Sequence, residues 1–86
     1  MNDYAIVVID NKYGMIDKGA NFIIQPLYEF LEPFSEGLAL ARLNRKFGFI
    51  DKDNNVCYEF IYDDADSFEF GKAKVKINGK VSFLTR

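Results

Sequence analysis

The 86-residue sequence contains no His, no Trp, one Cys and two Pro. Without His it lacks the side chain that most often moves protons near neutral pH. No Cys–His metal set, Ser-based motif or Gly-rich phosphate loop takes its place. One Cys cannot close an internal disulfide, so nothing points to an oxidising compartment. Basic charge is not in excess: 11 Lys and Arg stand against 13 Asp and Glu, for a net charge of −2, which is not the footprint of a DNA- or RNA-binding surface. The apolar run Tyr4 to Ile9 is too short for a membrane span, and Asp3 precedes it where a signal peptide carries Lys or Arg. These absences predict a cytoplasmic, non-enzymatic chain with no cofactor, no metal, and no nucleic-acid or membrane partner.

What is present is apolar and aromatic: 49% of the residues are hydrophobic, with nine Phe and five Tyr. Such residues suit a pleated, half-buried surface. They recur with a period of 34. The stretch Lys46-Phe47-Gly48-Phe49-Ile50-Asp51-Lys52 has a counterpart in Lys12-Tyr13-Gly14-Met15-Ile16-Asp17-Lys18 and a worn one in Lys80-Val81-Ser82-Phe83-Leu84-Thr85-Arg86. Residues 4–37 lie over 38–71 without a gap and match at ten positions, and 72–86 cover the first half of a third unit. The reading is a single domain, 1–86, made of tandem repeats at 4–37, 38–71 and a partial 72–86.

Each unit opens with an alternating strand. Period two sets Ala5, Val7 and Ile9, then Ala39, Ala41 and Leu43, then Ala73, Val75 and Ile77 on one apolar face, which predicts the core face. A two-residue turn follows: Asp10-Asn11, Asn44-Arg45 and Asn78-Gly79, the last being the strongest short hairpin signal. The Lys-aromatic-Gly strand comes next. Its Gly predicts a close approach to the backbone. A longer loop leads to a third strand, Phe22 to Gln25 and Val56 to Phe60, and the unit closes with irregular residues, Pro26 to Gly37 and Ile61 to Gly71, with Leu27 to Leu31 as a candidate helical turn. The fold class is therefore all-β: an antiparallel hairpin or meander repeat of 34 residues with about eight strands, long irregular loops and at most short helical turns. The third unit stops after its second strand, leaving an open edge or a gap for a strand from another molecule.

The motif Lys-aromatic-Gly-aromatic-Ile-Asp-Lys, followed by Tyr62-Asp63-Asp64-Ala65 with Phe68 and Gly71, resembles the WG-repeat family, also called KWG repeats. The family's centre reads Gly-Lys-Trp-Gly-Tyr-Ile-Asp; here Tyr13, Phe47 and Val81 stand at the Trp position. The resemblance runs from about Ala5 to Leu84. It implies a bacterial or phage origin, β-rich tandem units, a binding or scaffolding role and no general catalytic residues. A set of two and a half units is minimal, since repeat domains usually need three and caps, which points to self-association or a partner.

Candidate sites lie where the copies differ. With the core face assigned as above, Tyr4, Ile6, Val8, Leu38 and Leu40 point to solvent and form an apolar patch for a protein partner or a second copy. The alternative is that a neighbouring loop, Phe30-Leu31 or Phe68-Glu69-Phe70, covers it. The stripe Lys72, Lys74, Lys76 reads as a solvated or protected edge strand rather than a phosphate-binding surface. Asp63, Asp64 and Asp66 crowd one loop, the partner-binding candidate for a second reading: a small inhibitor or immunity-type protein that blocks an enzyme. Carboxylates that close can also hold a hard cation, but the reading preferred for this loop and for Asp51-x-Asp53-x-Asn55 is a solvated turn. Cys57, whose counterpart is Ile23, reads as a buried apolar residue.

Overall fold

The computed structural model describes residues 4–86. They form ten strands: β1 Tyr4–Ile9, β2 Lys12–Asp17, β3 Phe22–Tyr28, β4 Phe30–Leu31, β5 Ala39–Leu43, β6 Lys46–Ile50, β7 Val56–Tyr62, β8 Asp64–Ala65, β9 Lys72–Ile77 and β10 Lys80–Thr85. Every pairing is antiparallel, in three sheets ordered β1-β2-β3, β4-β5-β6-β7 and β10-β9-β8. The repeating all-β meander is as the sequence predicts. The two strands beyond the expected eight, β4 and β8, lie in the segments expected to be irregular. They escape sequence reading because two residues show no periodicity. Each is fixed by the next copy's first strand, with Leu31 opposite Ala41 and Ala65 opposite Val75.

The turns follow from backbone conformation. Asp10, Asn11, Asn44, Arg45, Asn78 and Gly79 all have positive φ, the requirement of a two-residue turn matched to the twist of its strands. A second pair of positive-φ residues, Glu36-Gly37 and Phe70-Gly71, closes the bridges Ser35 to Leu38 and Glu69 to Lys72. That turn hands the chain from one unit to the next.

The third strand is longer than predicted. β3 runs through Pro26 and Leu27 to Tyr28, so no helical turn forms at Leu27 to Leu31. Register shifts between Tyr13, Met15 and Ile16 mark bulges against β2, and a bulge is where a strand tolerates Pro. The expected close approach at the motif Gly is this bulged strand. A Cβ on Gly14 would lie 2.6 Å from the Ile24 carbonyl oxygen, and one on Gly48 would lie 2.6 Å from that of Tyr58.

Two hydrophobic clusters lie between successive copies rather than within them. Met15, Ile24, Tyr28 and Leu31 of the first copy pack with Ala39, Ala41 and Ile50 of the second. Leu38, Leu40, Phe49, Tyr62, Ala65 and Phe68 of the second pack with Ala73 and Val75 of the third. Each unit therefore presents a front face to the copy after it and a rear face to the copy before it. Hydrogen bonds also join the first copy to the second: Tyr28 Oη donates to Asn54 Oδ1 at 2.6 Å, Gly71 N to Glu36 Oε1 at 3.0 Å, and Ser67 Oγ to Glu32 Oε1 at 2.5 Å.

Candidate functional site

The first strand of each copy occupies the same place in three different surroundings. β5 is enclosed. Its rear-face Ala39 and Ala41 join the first cluster, its front-face Leu38 neighbour and Leu40 join the second, and β4 and β6 flank it. β9 is enclosed at the rear, through Ala73 and Val75, while Lys72, Lys74 and Lys76 at the front are exposed. β1 is the reverse. Its front-face Tyr4 and Ile6 pack on the first cluster, but at the rear Ala5 and Ile9 are exposed and Val7 is half-buried. Among the described residues β1 has one neighbour, β2, so its other edge is bare.

This arrangement corrects the expected solvent face. Leu38 and Leu40 do not face solvent; they are 2% and 3% exposed, because the third copy stacks on them together with Phe68. Both are core residues. Tyr4 is half-buried, its ring edge-on to Phe34 at 5.5 Å and its hydroxyl accepting the Phe34 N–H at 2.7 Å. Ile6 is half-buried, and Val8 is 54% exposed. Conversely, Ala5 and Ile9, assigned to the core by alternation, lie on the open rear face. Two smaller corrections concern Cys57 and the lysines. Cys57 is exposed, its Sγ 3.7 Å from the Asn55 carbonyl, because it lies on the solvent side of β7. β9 is no edge strand, since β8 and β10 flank it.

The acidic loop has an internal explanation. Asp63 receives the ammonium of Lys46 and, at 2.8 Å, the N–H of Asn78. Its counterpart Glu29 accepts the N–H groups of Asn44 and Arg45 at 3.0 and 2.9 Å, so this carboxylate holds the following copy's hairpin turn. Lys46 beside Asp63 and the Arg45 N–H on Glu29 are the main causes that hold the two carboxyls below their usual range. Asp64 is the cross-strand neighbour of Lys76, and the Asp66 N–H donates to the Lys74 carbonyl at 2.9 Å. The acidic loop and the lysine stripe are thus two sides of one seam. Among the described residues no group of three or more His, Cys, Asp or Glu is placed to hold a metal ion.

Asp17 and Asp51 organise the loops after the motif strand. Asp17 Oδ1 accepts the N–H groups of Gly19 and Asn21, and Asp51 Oδ1 those of Asp53 and Asn55, all at 2.9 Å. The Asn21 and Asn55 N–H donors are the leading causes that pull these carboxyls down. A carboxylate with a lowered folded pKa contributes stability that is present above its unfolded value, about 4, and lost as pH falls through the folded one. Tm should therefore be level from pH 7 to about 5 and drop below about pH 4. Asp51→Asn should lower Tm at neutral pH and flatten the acid limb, which thermal melts at pH 7, 5 and 3 read directly. An acid limb as steep in Asp51→Asn as in the parent would reject this role.

A groove of about 630 Å³ opens beside these loops, lined by Tyr4, Ile23 and Phe34, with Asp17, Asp51 and Asp53 at its rim. The Oδ1 atoms of Asp17 and Asp51 are already engaged by their own loops.

A family model described as the WG containing repeat matches residues 13–47 and again 47–80. The chain belongs to the WG-repeat family. The two matches are offset by the 34 residues found between the motif copies, from Tyr13 to Phe47. No curated protein and no solved structure matches the chain. In WG-repeat terms, the Trp position holds Tyr13 and Phe47, both half-buried, and both ring-pack with Phe30, at 5.7 and 6.4 Å between centroids. What sequence reasoning missed is the rear face of β1. Its signal was present in the composition of the strands: β9 carries three lysines and β5 one arginine, whereas Tyr4 to Ile9 carry no charge.

Proposed function

We propose that this WG-repeat chain is a non-enzymatic protein-interaction module whose binding surface is the open edge and rear face of β1. One observation carries the reading. The positions of Ala5 and Val7 are those of Ala39 and Ala41, and of Ala73 and Val75, which are at most 1% exposed because a preceding copy packs on them. β1 offers the same apolar ridge, with Ala5 and Ile9 exposed and Val7 half-buried, and the same strand edge with no strand paired to it among the described residues. An apolar rear face beside an unpaired edge accepts an added strand: backbone hydrogen bonds supply affinity, and alternate side chains supply selectivity. The reading as an inhibitor acting through Asp63, Asp64 and Asp66 has less support, because the Asp63 carboxylate is already taken by Lys46 and the Asn78 N–H, while Asp64 and Asp66 lie beside the lysines of β9.

The test is a photo-crosslinking residue placed at Val8 or, as a control, at Lys74, in cells that express the chain. Protein adducts should form at position 8 well above those at 74. Equal adduct yields at the two positions would overturn the proposal.

A further inference from the structure

We infer that the strand added to β1 is β1 of a second copy, paired antiparallel about a two-fold axis at Ile6. The inference rests on the interaction reading above and names its partner.

The hydrogen-bonding pattern of the other copies sets the geometry. The Arg42 carbonyl accepts from Glu29 N, the Leu40 carbonyl from Glu32 N, and Leu38 exchanges both its bonds with Ser35; Lys76, Lys74 and Lys72 repeat the scheme with Asp63, Asp66 and Glu69. In an antiparallel strand the N–H and C=O of one residue point to the same edge, and successive residues alternate. The equivalent groups of β1 are those of Tyr4, Ile6 and Val8, and they point to its free edge. This strand position is thus built for a second antiparallel neighbour, and it has one in the second and third copies.

A second copy of β1 fits that edge. Tyr4-Ala5-Ile6-Val7-Val8-Ile9 contains no charge, no Pro and no Gly, so it has none of the devices by which edge strands avoid self-pairing. At the other end of the stack β10 is also an outer strand of its sheet, but there Lys80 and, on the adjoining β9, Lys72, Lys74 and Lys76 put like charges near any self-paired partner. With Ile6 opposite its own mate, Tyr4 lies opposite Val8 in both directions, and all three outward residues are bonded. Ala5 then lies opposite Val7, which joins the two open rear faces into one apolar strip. Sliding the axis to Val8 sets Ile6 against Asp10 in the turn. The product is a continuous six-stranded sheet, β3-β2-β1 of one copy followed by β1-β2-β3 of the other, in which neither β1 remains an edge.

Light scattering over a hundredfold range of concentration should give a mass rising from 9.9 kDa to twice that value. Val8→Pro, which removes an outward N–H at a site where an edge strand tolerates Pro, should stay at the monomer mass throughout. In a Cys57→Ser background, Ile6→Cys should cross-link with itself on mild oxidation, because directly opposed residues of a hydrogen-bonded pair have Cα atoms about 5.5 Å apart. Tyr4→Cys and Val8→Cys should each cross-link poorly alone and well when mixed. A parent protein monomeric at every concentration, or a dimer that Val8→Pro leaves intact, overturns the pairing. A monomer that still forms adducts with another protein at position 8 overturns only the self-pairing and leaves the interaction reading standing. A monomer without adducts at position 8 overturns both.

Discussion

Phe49→Ala should destabilise the protein by about 3–5 kcal/mol, whereas Phe83→Ala, one repeat later, should cost under about 1 kcal/mol. The two residues hold the same position of the unit, on the front face of the motif strand. Phe49 is fully buried, with its ring 4.9 Å from Phe68 and 5.9 Å from Tyr58, both edge-on. Removing it leaves a void at the centre of the cluster that joins the second and third copies. Phe83 is 59% exposed, because nothing among the described residues stacks on its front face. Domains of this size are stable by only about 0.05–0.15 kcal/mol per residue, so the first substitution removes a large share of the total. Urea unfolding at constant m-value separates the two. Equal midpoint shifts would mean that the third copy is packed as the second is, and would reject the front-to-rear stacking.

Much of this architecture was legible because the determinants are local. Alternation in Lys72 to Ile77 located a strand, Asn78-Gly79 located a turn, and the ungapped period located the copies. The assignment of faces failed because it used two-sided logic: one face in, one face out. In a stack of units each face is buried by a different neighbour, so Leu38 and Ala39 are both buried although they are adjacent in sequence. Whether a face is covered depends on which copies precede and follow it. That is a property of the stack, and no single strand's pattern carries it. Tyr4 and Ile6 are half-buried for the same reason that Leu40 is fully buried: a later copy stands in front of them. β4 and β8 were missed because their partners, not their own residues, make them strands. The acidic loop was legible as a cluster of charge. Its role in holding the next copy's turn was not, because Lys46 and Asn78 lie far from Asp63 in sequence.

The same stacking logic gives a second large effect, at a residue with no side chain. Gly48→Ala should destabilise by on the order of 3 kcal/mol, and Gly14→Ala by a similar amount. Neither glycine has a positive φ, so conformational freedom is not the issue. The constraint is space. A Cβ at Gly48 would stand 2.6 Å from the Tyr58 carbonyl oxygen, 2.9 Å from Phe60 Cδ1 and 3.0 Å from the Glu59 carbonyl oxygen. The oxygens belong to the backbone of β7 where it bulges across β6, so relief requires the strand itself to move away. That movement would also shift Phe60, whose ring lies against Tyr28 of the preceding copy at 5.9 Å. The gain Ala brings by restricting the unfolded chain, about 0.4–1 kcal/mol, offsets only part of this. The third copy agrees: Ser82 occupies the same position on β10, and among the described residues no third strand crosses it. Gly71→Ala is the control. Its φ is +77° with nothing within 4 Å of a Cβ, so its cost is the left-handed conformation alone, about 1–2 kcal/mol. A Gly48→Ala variant no less stable than Gly71→Ala in urea would mean that β7 does not press on β6, and the bulge would lose its explanation.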